Sequence, residues 1–380
     1  MIFDYENLRL VWWLLLGVLL IGFAVMDGFD LGVAALLPFV GRSDVERRVA
    51  INTIGPVWEG NQVWLVLGAG AIFAAWPPLY AVSFSGFYLA MFLVLASLIL
   101  RPVGFTFRSK IDNPVWRSIW DWALVISGVV PALIFGVAVG NALQGVPFAF
   151  DPDLRASYQI TLLGLLNPFG LLCGLVSLAM LLMHGAAYLG VKAGEPVASR
   201  ARQAGGVAAI VTLILFALAG VATAFLIPGY VITSAIDPAG PSNPLGKTVV
   251  TQTGAWLMNY GAHPWMLAAP ALGFAGAVAA FFLFRAARPV VTWLATSASV
   301  VGIVATAGVS MFPFLLPSSS SLSSSLTVWD ASSSRLTLGV MLVAAVVFVP
   351  IVLAYTAWVF RVLRGHVTVE EITRDPHGVY

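Results

Sequence analysis

The sequence predicts an all-α polytopic membrane protein. Hydrophobic residues fill 60% of its 380 positions and charged residues only 9%, whereas soluble domains carry about 25% charged residues. The mean hydropathy is +0.94, and apolar runs of about 18 or more residues recur along the chain, each long enough to cross a bilayer as a helix. The net charge is only +2, and the basic residues are spread among short loops, so no nucleic-acid partner is indicated.

Hydropathy divides the chain into nine predicted transmembrane helices. In order they cover residues 8–40, 51–75, 79–100, 118–141, 160–189, 204–227, 264–284, 291–312 and 336–360. The second span is interrupted by Glu59, Asn61 and Gln62, and without it the count would be eight.

The distribution of Lys and Arg favours nine spans over eight. Basic residues orient membrane helices by remaining on the cytoplasmic side. With nine spans, 15 of the 19 Lys and Arg residues lie on one side. They occupy 41–50, 101–117, 190–203, 285–290 and the tail after 360. With eight spans, Arg42, Arg47 and Arg48 would move to the opposite side. We therefore predict an N-terminus outside and a C-terminus in the cytoplasm.

The first helix is expected to stay in the mature protein, and the whole chain, 1–380, to form one transmembrane domain. Asp4 and Glu6 occupy positions where a cleavable signal peptide would carry Lys or Arg. Cys173 is the single cysteine, which excludes a disulfide or a Cys-based metal site within the chain. Residues 318–325 contain seven serines, a composition typical of a flexible polar loop.

Three carboxylates inside apolar sequence are the candidates for chemistry, because such groups are costly in a membrane. At 1.5 Å per residue, Asp27 lies about 28 Å along the first span, close to the cytoplasmic surface, and Asp30 is one turn further on the same face. Glu59 lies about 12 Å into the second span, with Gln62 on its face and Asn61 beside it. Two Asp near the surface and a deeper Glu with amide neighbours indicate a proton inlet, since burial raises the pKa of a Glu towards neutrality.

Structural roles for the same carboxylates stay open. Asp27 and Asp30 could cap a helix broken at Gly28 and Gly32, or pair with Arg47 or Arg48. Glu59 could also be structural, although its depth makes that harder to justify. Asp121, near the cytoplasmic start of the fourth span, is more typical of an interfacial residue.

The histidines give no pattern of heme ligands. His184 is near the cytoplasmic end of the fifth span and His263 at the outer start of the seventh, so about a membrane thickness separates them. We expect His184 to be hydrogen bonded at a helix end. No metal, nucleotide or dinucleotide motif is present, so the residues alone indicate no ligated heme, no metal and no redox chemistry in this chain.

Long stretches of the sequence resemble subunit II of the cytochrome bd-type quinol oxidases, a family that includes the cyanide-insensitive oxidases. The matching stretches are WWLLLGVLLIGFAVMDGFDLG (12–32), ERRVAINTIGPVWEGNQVWL (46–65), FAAWPPLYAVSFSGFYLAM (73–91), RPVGFTFRSK (101–110), VGNALQGVPF (139–148), LLNPFGLL (165–172), ALAGV (217–221), MFPFLLPSS (311–319) and LTVWDASSS (326–334). They run in order over essentially the whole chain.

The resemblance implies a fold and a role. It implies two four-helix bundles plus one peripheral helix, in a complex of the bacterial cytoplasmic membrane. Its partner, subunit I, would carry two b hemes, one d heme and the quinol-oxidising site, with small accessory subunits as further partners. The complex would oxidise quinol and reduce dioxygen to water with protons from the cytoplasm, without pumping, and subunit II would be heme-free and could hold a structural quinone.

The resemblance also implies that acidic residues of subunit II supply protons to the oxygen-reducing heme. Glu59 in WEGNQVW fits best, and Asp27 and Asp30 in MDGFDLG come second. Two other functions remain as alternatives. A secondary transporter would use intramembrane acids and broken helices, but the odd span count and the absence of matching halves count against it. A purely structural scaffold subunit would have no proton role.

Overall fold

The computed structural model describes residues 3–374 and consists of helices joined by short loops and three small hairpins. The helices are α1 Tyr5–Val40, α2 Asp44–Ile54, α3 Trp58–Ala75, α4 Pro77–Gly86, α5 Tyr88–Leu98, α6 Leu100–Phe107, α7 Pro114–Gln144, α8 Leu162–Leu165, α9 Pro168–Lys192, α10 Val197–Phe225, α11 Met258–Ala262, α12 Ala268–Arg285, α13 Pro289–Met311, α14 Arg335–Val362 and α15 Val369–Arg374. The strands are β1 Phe148–Phe150, β2 Ala156–Tyr158, β3 Pro228–Ile232, β4 Val249–Thr253, β5 Phe314–Leu316 and β6 Leu326–Thr327, paired antiparallel as β1–β2, β3–β4 and β5–β6.

Eight helical segments within 3–374 are long and apolar enough to cross a membrane, which confirms the all-α polytopic class. They are Tyr5–Val40, Tyr88–Phe107, Pro114–Gln144, Pro168–Lys192, Val197–Phe225, Pro264–Arg285, Pro289–Met311 and Arg335–Val362.

The second predicted span, 51–75, is divided in the structure. Its first residues belong to α2, a short helix capped by Ser43, and α3 begins only at Trp58. α3 has 18 residues, about 27 Å at the helical rise, and its first turns carry Glu59, Asn61 and Gln62, which lower its mean hydropathy. The ninth span therefore stays a prediction.

Helix α1 is the central element, and it is continuous. It packs against α3, α7, α9 and α13, and no break occurs at Gly28 or Gly32. The hypothesis that Asp27 and Asp30 cap a broken helix is therefore wrong. The glycines serve close approach instead: a Cβ at Gly32 would clash with the carbonyl oxygen of Leu181 on α9, and one at Gly185 would lie 2.5 Å from the carbonyl carbon of Gly32. Small residues at a crossing let two membrane helices bring their backbones together.

Replacing Gly32 with Ala is expected to destabilise the α1–α9 crossing by about 3 kcal/mol, because a backbone oxygen cannot move aside as a side chain can. The yield and thermal stability of the purified protein should both fall. Gly17→Ala on the same helix is the matched control, since a Cβ at Gly17 meets no atom within 4 Å. Equal stability of the two variants would contradict this account of the crossing.

The loops at the predicted outer face are tied together by buried polar contacts. Arg9 of α1 is fully buried and donates to the hydroxyls of Ser332 and Ser242, at 2.7 and 3.0 Å, and to the carbonyl oxygen of Gly240. Lys247 pairs with Asp330 at 2.8 Å, although burial lowers the pKa of the Lys247 ammonium. We call Arg9 and its partners the outer clasp.

The serine-rich stretch 318–325 is not the flexible loop that its composition predicts. Ser318, Ser324 and Ser325 are fully buried. The Ser318 hydroxyl donates to the carbonyl of Phe148, the Ser325 hydroxyl accepts from the backbone of Ser318, and the Ser324 hydroxyl accepts from the backbone of Phe150. The hydroxyls satisfy backbone groups between two hairpins, a pairing in three dimensions that composition does not reveal.

Candidate functional site

A buried group of polar side chains lies between α1, α3 and α6. We call Asp27, Asp30, Asn61 and Arg101 the inner acidic cluster. Arg101 Nη1 contacts Asp27 Oδ1 at 2.6 Å, and both side chains are fully buried. Asn61 Nδ2 donates to Asp30 Oδ2 at 2.8 Å. The cluster holds two carboxylates and one guanidinium, so it carries a formal excess of one acidic group.

Helix geometry brings these residues together. Asp27 and Asp30 are three residues apart on α1 and so share a face. Arg101 reaches Asp27 because helix continues beyond residue 100, through α6 to Phe107. Asn61 lies in the first turns of α3, turned towards α1, and is only 2% exposed.

Several buried polar atoms of the inner acidic cluster have no hydrogen-bond partner among the described residues. Asp27 Oδ2, Asp30 Oδ1, and Nε and Nη2 of Arg101 are buried and make no hydrogen bond with a described residue. Buried polar atoms are nearly always paired, so each exception in a folded protein needs an explanation. The cluster therefore offers donors and acceptors that no described side chain uses.

The structure divides the predicted site residues between two sides of α3. Asp27, Asp30 and Asn61 meet inside the protein, as described above. Glu59 is exposed and makes no hydrogen bond or ion pair with residues 3–374, and Gln62 is partly exposed. Two residues along a helix turn the side chain by about 200°, so Glu59 and Asn61 point to opposite sides. The interior position that we predicted for Glu59 is therefore wrong for this chain by itself.

Arg101 is the member of the site that the sequence analysis missed. We counted it as a cytoplasmic loop residue, because charged residues usually mark span ends. The stretch after it contains Val103, Phe105 and Phe107, and these apolar residues were the available signal that the helix continues. Asp27 therefore pairs with Arg101, and the alternative in which it pairs with Arg47 or Arg48 is wrong.

A second set of ion pairs lies next to the short helix α2. Arg108 contacts Asp121 at 2.5 Å and Asp44 at 2.9 Å, and Arg47 contacts Asp121 at 2.8 Å. Asp121 is only 3% exposed, so it is a buried partner of two arginines, and its position at the membrane interface stays a prediction. These pairs fasten α2 to α6 and α7.

Helix α2 is also fastened to α10 through Glu46. Arg200 contacts the Glu46 carboxylate at 2.6 Å, and that hydrogen bond, together with the backbone N–H groups of Arg42 and Ser43, lowers the pKa of Glu46 to about 2. Glu46 is therefore ionised throughout the physiological range and is suited to fixing α2 in place, not to exchanging protons.

Both ring nitrogens of His184 make hydrogen bonds within the chain. Its Nδ1 lies 2.9 Å from the Thr296 hydroxyl and its Nε2 lies 2.9 Å from the carbonyl oxygen of Val25. The carbonyl can only accept, so Nε2 carries the proton, and both ring nitrogens are used. Within residues 3–374 there is also no group of three His, Cys, Asp or Glu side chains placed to hold a metal ion.

These features define a class: a polytopic helical membrane protein in which the buried ion pairs join different helices. A sequence model of the family described as cytochrome bd terminal oxidase subunit II matches residues 8–363. The chain belongs to this family, and as a terminal oxidase subunit it is part of an oxidoreductase complex of electron transport.

Individual relatives agree with this assignment. The chain is 52% identical over 377 residues to cytochrome bd-I ubiquinol oxidase subunit 2 of Escherichia coli K12, covering 99% of this chain and 100% of the relative. It is 31% identical over 369 residues to cytochrome bd ubiquinol oxidase subunit 2 of Bacillus subtilis, covering 96% and 98%. A chain of the solved bd oxidase from Geobacillus thermodenitrificans shares the fold, with a TM-score of 0.68 over 94% of this chain and 98% of that chain, at 16% identity.

Proposed function

We propose that this chain is the heme-free second subunit of a quinol:dioxygen oxidoreductase of the bacterial cytoplasmic membrane. Subunit I would carry the two b hemes, the d heme and the quinol site. This chain would stabilise subunit I and conduct cytoplasmic protons towards the oxygen-reducing heme, so it would not be catalytic alone. The single observation that carries the proton role is the inner acidic cluster with its unpaired buried atoms.

The exposure of Glu59 supports a particular docking face. A carboxylate facing lipid within a membrane span costs several kcal/mol. Glu59 and Gln62 are nevertheless on the side of α3 that is turned away from α1, next to exposed Val63 and Val66. We infer that this side of α3 packs against subunit I, which would bury Glu59 at the boundary between the two subunits.

The first turns of α3 would then link the interior of this chain to its partner. Asn61 contacts Asp30 on one side of the helix, and Glu59 lies on the other side. A proton that reaches the inner acidic cluster would pass around α3 to Glu59 and from there into subunit I. Reduction of dioxygen to water consumes protons, and a route of this kind would supply them from the cytoplasm.

The proposed arrangement in the membrane keeps nine spans, with α3 as the second, the N-terminus outside and the C-terminus in the cytoplasm. Two four-helix bundles and one peripheral helix would form a single domain over 1–380. Helix α14 suits the peripheral position, since only 6% of its most apolar stretch is buried. Tyr355 and Trp358 near its cytoplasmic end are exposed, as interfacial aromatic residues are.

Purification of the tagged chain tests the assignment against the transporter alternative. A subunit of this oxidase should bring with it a heme protein whose visible spectrum shows b and d hemes, and the preparation should consume oxygen when quinol is added. A colourless chain that remains folded and active in transport by itself would overturn the proposal.

A further inference from the structure

A cleft with a basic rim opens between α9, α13 and the end of α14, away from the inner acidic cluster. Tyr188, Lys192, Trp293, Phe360, Arg364 and His366 line it, and its volume is about 210 Å³. We call it the basic cleft. No Asp or Glu is among its described lining residues, so the fixed charge around it is positive.

The aromatic and the basic residues of the basic cleft lie at different depths in the membrane. On α9, Lys192 follows Tyr188 by four residues, and in the α14 segment Arg364 follows Phe360 by four residues. Both helices run towards the cytoplasm in the proposed orientation, so Lys192 lies about 6 Å nearer the aqueous surface than Tyr188, and Arg364 lies beyond Val362, the last residue of α14. The cleft is therefore apolar towards the membrane and cationic towards the cytoplasm.

The cations are available to a ligand to different degrees. Lys192 Nζ donates to the carbonyl oxygens of Leu363 and Gly365, at the end of α14. An ammonium group has three donors, so one remains for a ligand. Arg364 and His366 are exposed and make no ion pair with any residue in 3–374.

The wall that carries Arg364 and His366 is held in place by backbone hydrogen bonds. Val367 N donates to the carbonyl of Lys192 at 2.7 Å, and Gly194 N donates to the carbonyl of Val367 at 2.8 Å. Further along, Ile372 of α15 is 1% exposed against α2. The segment after α14 is thus fixed across the end of α9, and the basic cleft exists without a ligand to shape it.

We propose that the basic cleft binds the phosphate headgroup of an anionic phospholipid from the cytoplasmic leaflet. Basic pockets between membrane helices on this side suit such headgroups. The cleft has room for a phosphoglycerol group but not for acyl chains. These would leave along α14, where Leu353 and Ala357 continue the face of Phe360 and are exposed. Aromatic rings on the membrane side and cations on the cytoplasmic side match a phospholipid and not a soluble anion.

The test is a titration of the whole purified complex with phosphatidylglycerol, followed by native mass spectrometry. Arg364→Gln should weaken binding of one lipid about fivefold, the effect of about 1 kcal/mol for one interfacial cation, and Arg364→Lys should restore it. Lys110→Gln is the matched control, because Lys110 is another exposed cation without an ion pair among the described residues. The heme spectrum and oxygen consumption of Arg364→Gln should equal those of the unaltered complex.

Three results would overturn the proposal. The first is equal lipid affinity of Arg364→Gln and Lys110→Gln, which would mean a general surface effect. The second is displacement of the lipid by inorganic phosphate at similar concentrations, which would assign the basic cleft to a soluble anion. The third is equal binding of phosphatidylcholine or of a quinone, neither of which needs the cations.

Discussion

Replacing Glu59 with Gln should lower quinol-dependent oxygen consumption of the purified complex tenfold or more, which corresponds to about 1.4 kcal/mol of activation free energy. The substitution keeps the size and most hydrogen bonds of the side chain and removes the proton that it can exchange. Glu59 lies at the docking face inferred for subunit I, and no described residue of this chain pairs with it. Its loss should therefore affect proton delivery and leave the visible heme spectrum unchanged.

Two companion variants make the Glu59 experiment decisive. Glu59→Asp keeps a carboxylate and should retain most of the turnover. Glu6→Gln makes the same chemical change on an exposed residue at the predicted outer end of α1 and should have no effect. If Glu59→Gln leaves both hemes and turnover unchanged, the proton role is wrong and the chain is a scaffold. If the hemes disappear, Glu59 holds the two subunits together instead.

Replacing Arg101 with Leu should prevent recovery of the assembled complex. The substitution leaves Asp27 as a buried carboxylate without its partner, and breaking a buried ion pair in this way costs about 3–5 kcal/mol. Both side chains are fully buried at a contact of 2.6 Å, so neither can turn towards water. The measurements are the yield of heme-loaded complex and its thermal stability in detergent.

A double variant separates the charge effect from a packing effect. Replacing both Asp27 and Arg101 with Leu removes the whole ion pair. Such a replacement often leaves the stability of the folded protein unchanged, or even raises it, when apolar side chains fill the space. We expect this variant to assemble far better than Arg101→Leu but to show reduced oxygen consumption, since half of the inner acidic cluster is gone. If the double variant assembles as poorly as Arg101→Leu, the shape of the Arg101 side chain and not its charge makes it necessary. Lys110→Gln should again behave as the unaltered protein.

Hydropathy predicts most of the helices of this protein, because a span must satisfy its backbone internally and cover itself with apolar side chains. The first span, 8–40, is helical throughout, and α9 spans most of the predicted 160–189. The same signal fails at α6, where a buried arginine resembles a loop charge and the partner that neutralises it is 74 positions earlier in the chain.

The polar residues of the candidate site, apart from Arg101, could be predicted from the sequence, but their arrangement could not. Asp27, Asp30, Glu59 and Asn61 are identifiable because polar groups are rare in spans. The side of α3 that each occupies is not, since helix faces turned to lipid and to protein are equally apolar and leave little periodicity to read. Only the packing of α3 on α1 shows that Asn61, and not Glu59, faces the interior.

The outer clasp constrains the order in which this protein can be completed during synthesis. Arg9 leaves the ribosome among the first residues, whereas its hydrogen-bonding partners Gly240, Ser242 and Ser332 follow more than two hundred residues later. Chains fold progressively from the N-terminus as they emerge, but the outer end of α1 cannot reach its final state until nearly the whole polypeptide has been translated. A chain truncated before Ser332 retains all spans but the last, and its Arg9 still lacks the Ser332 hydroxyl that accepts from Nε. The outer clasp is thus complete only when almost the whole chain has been made.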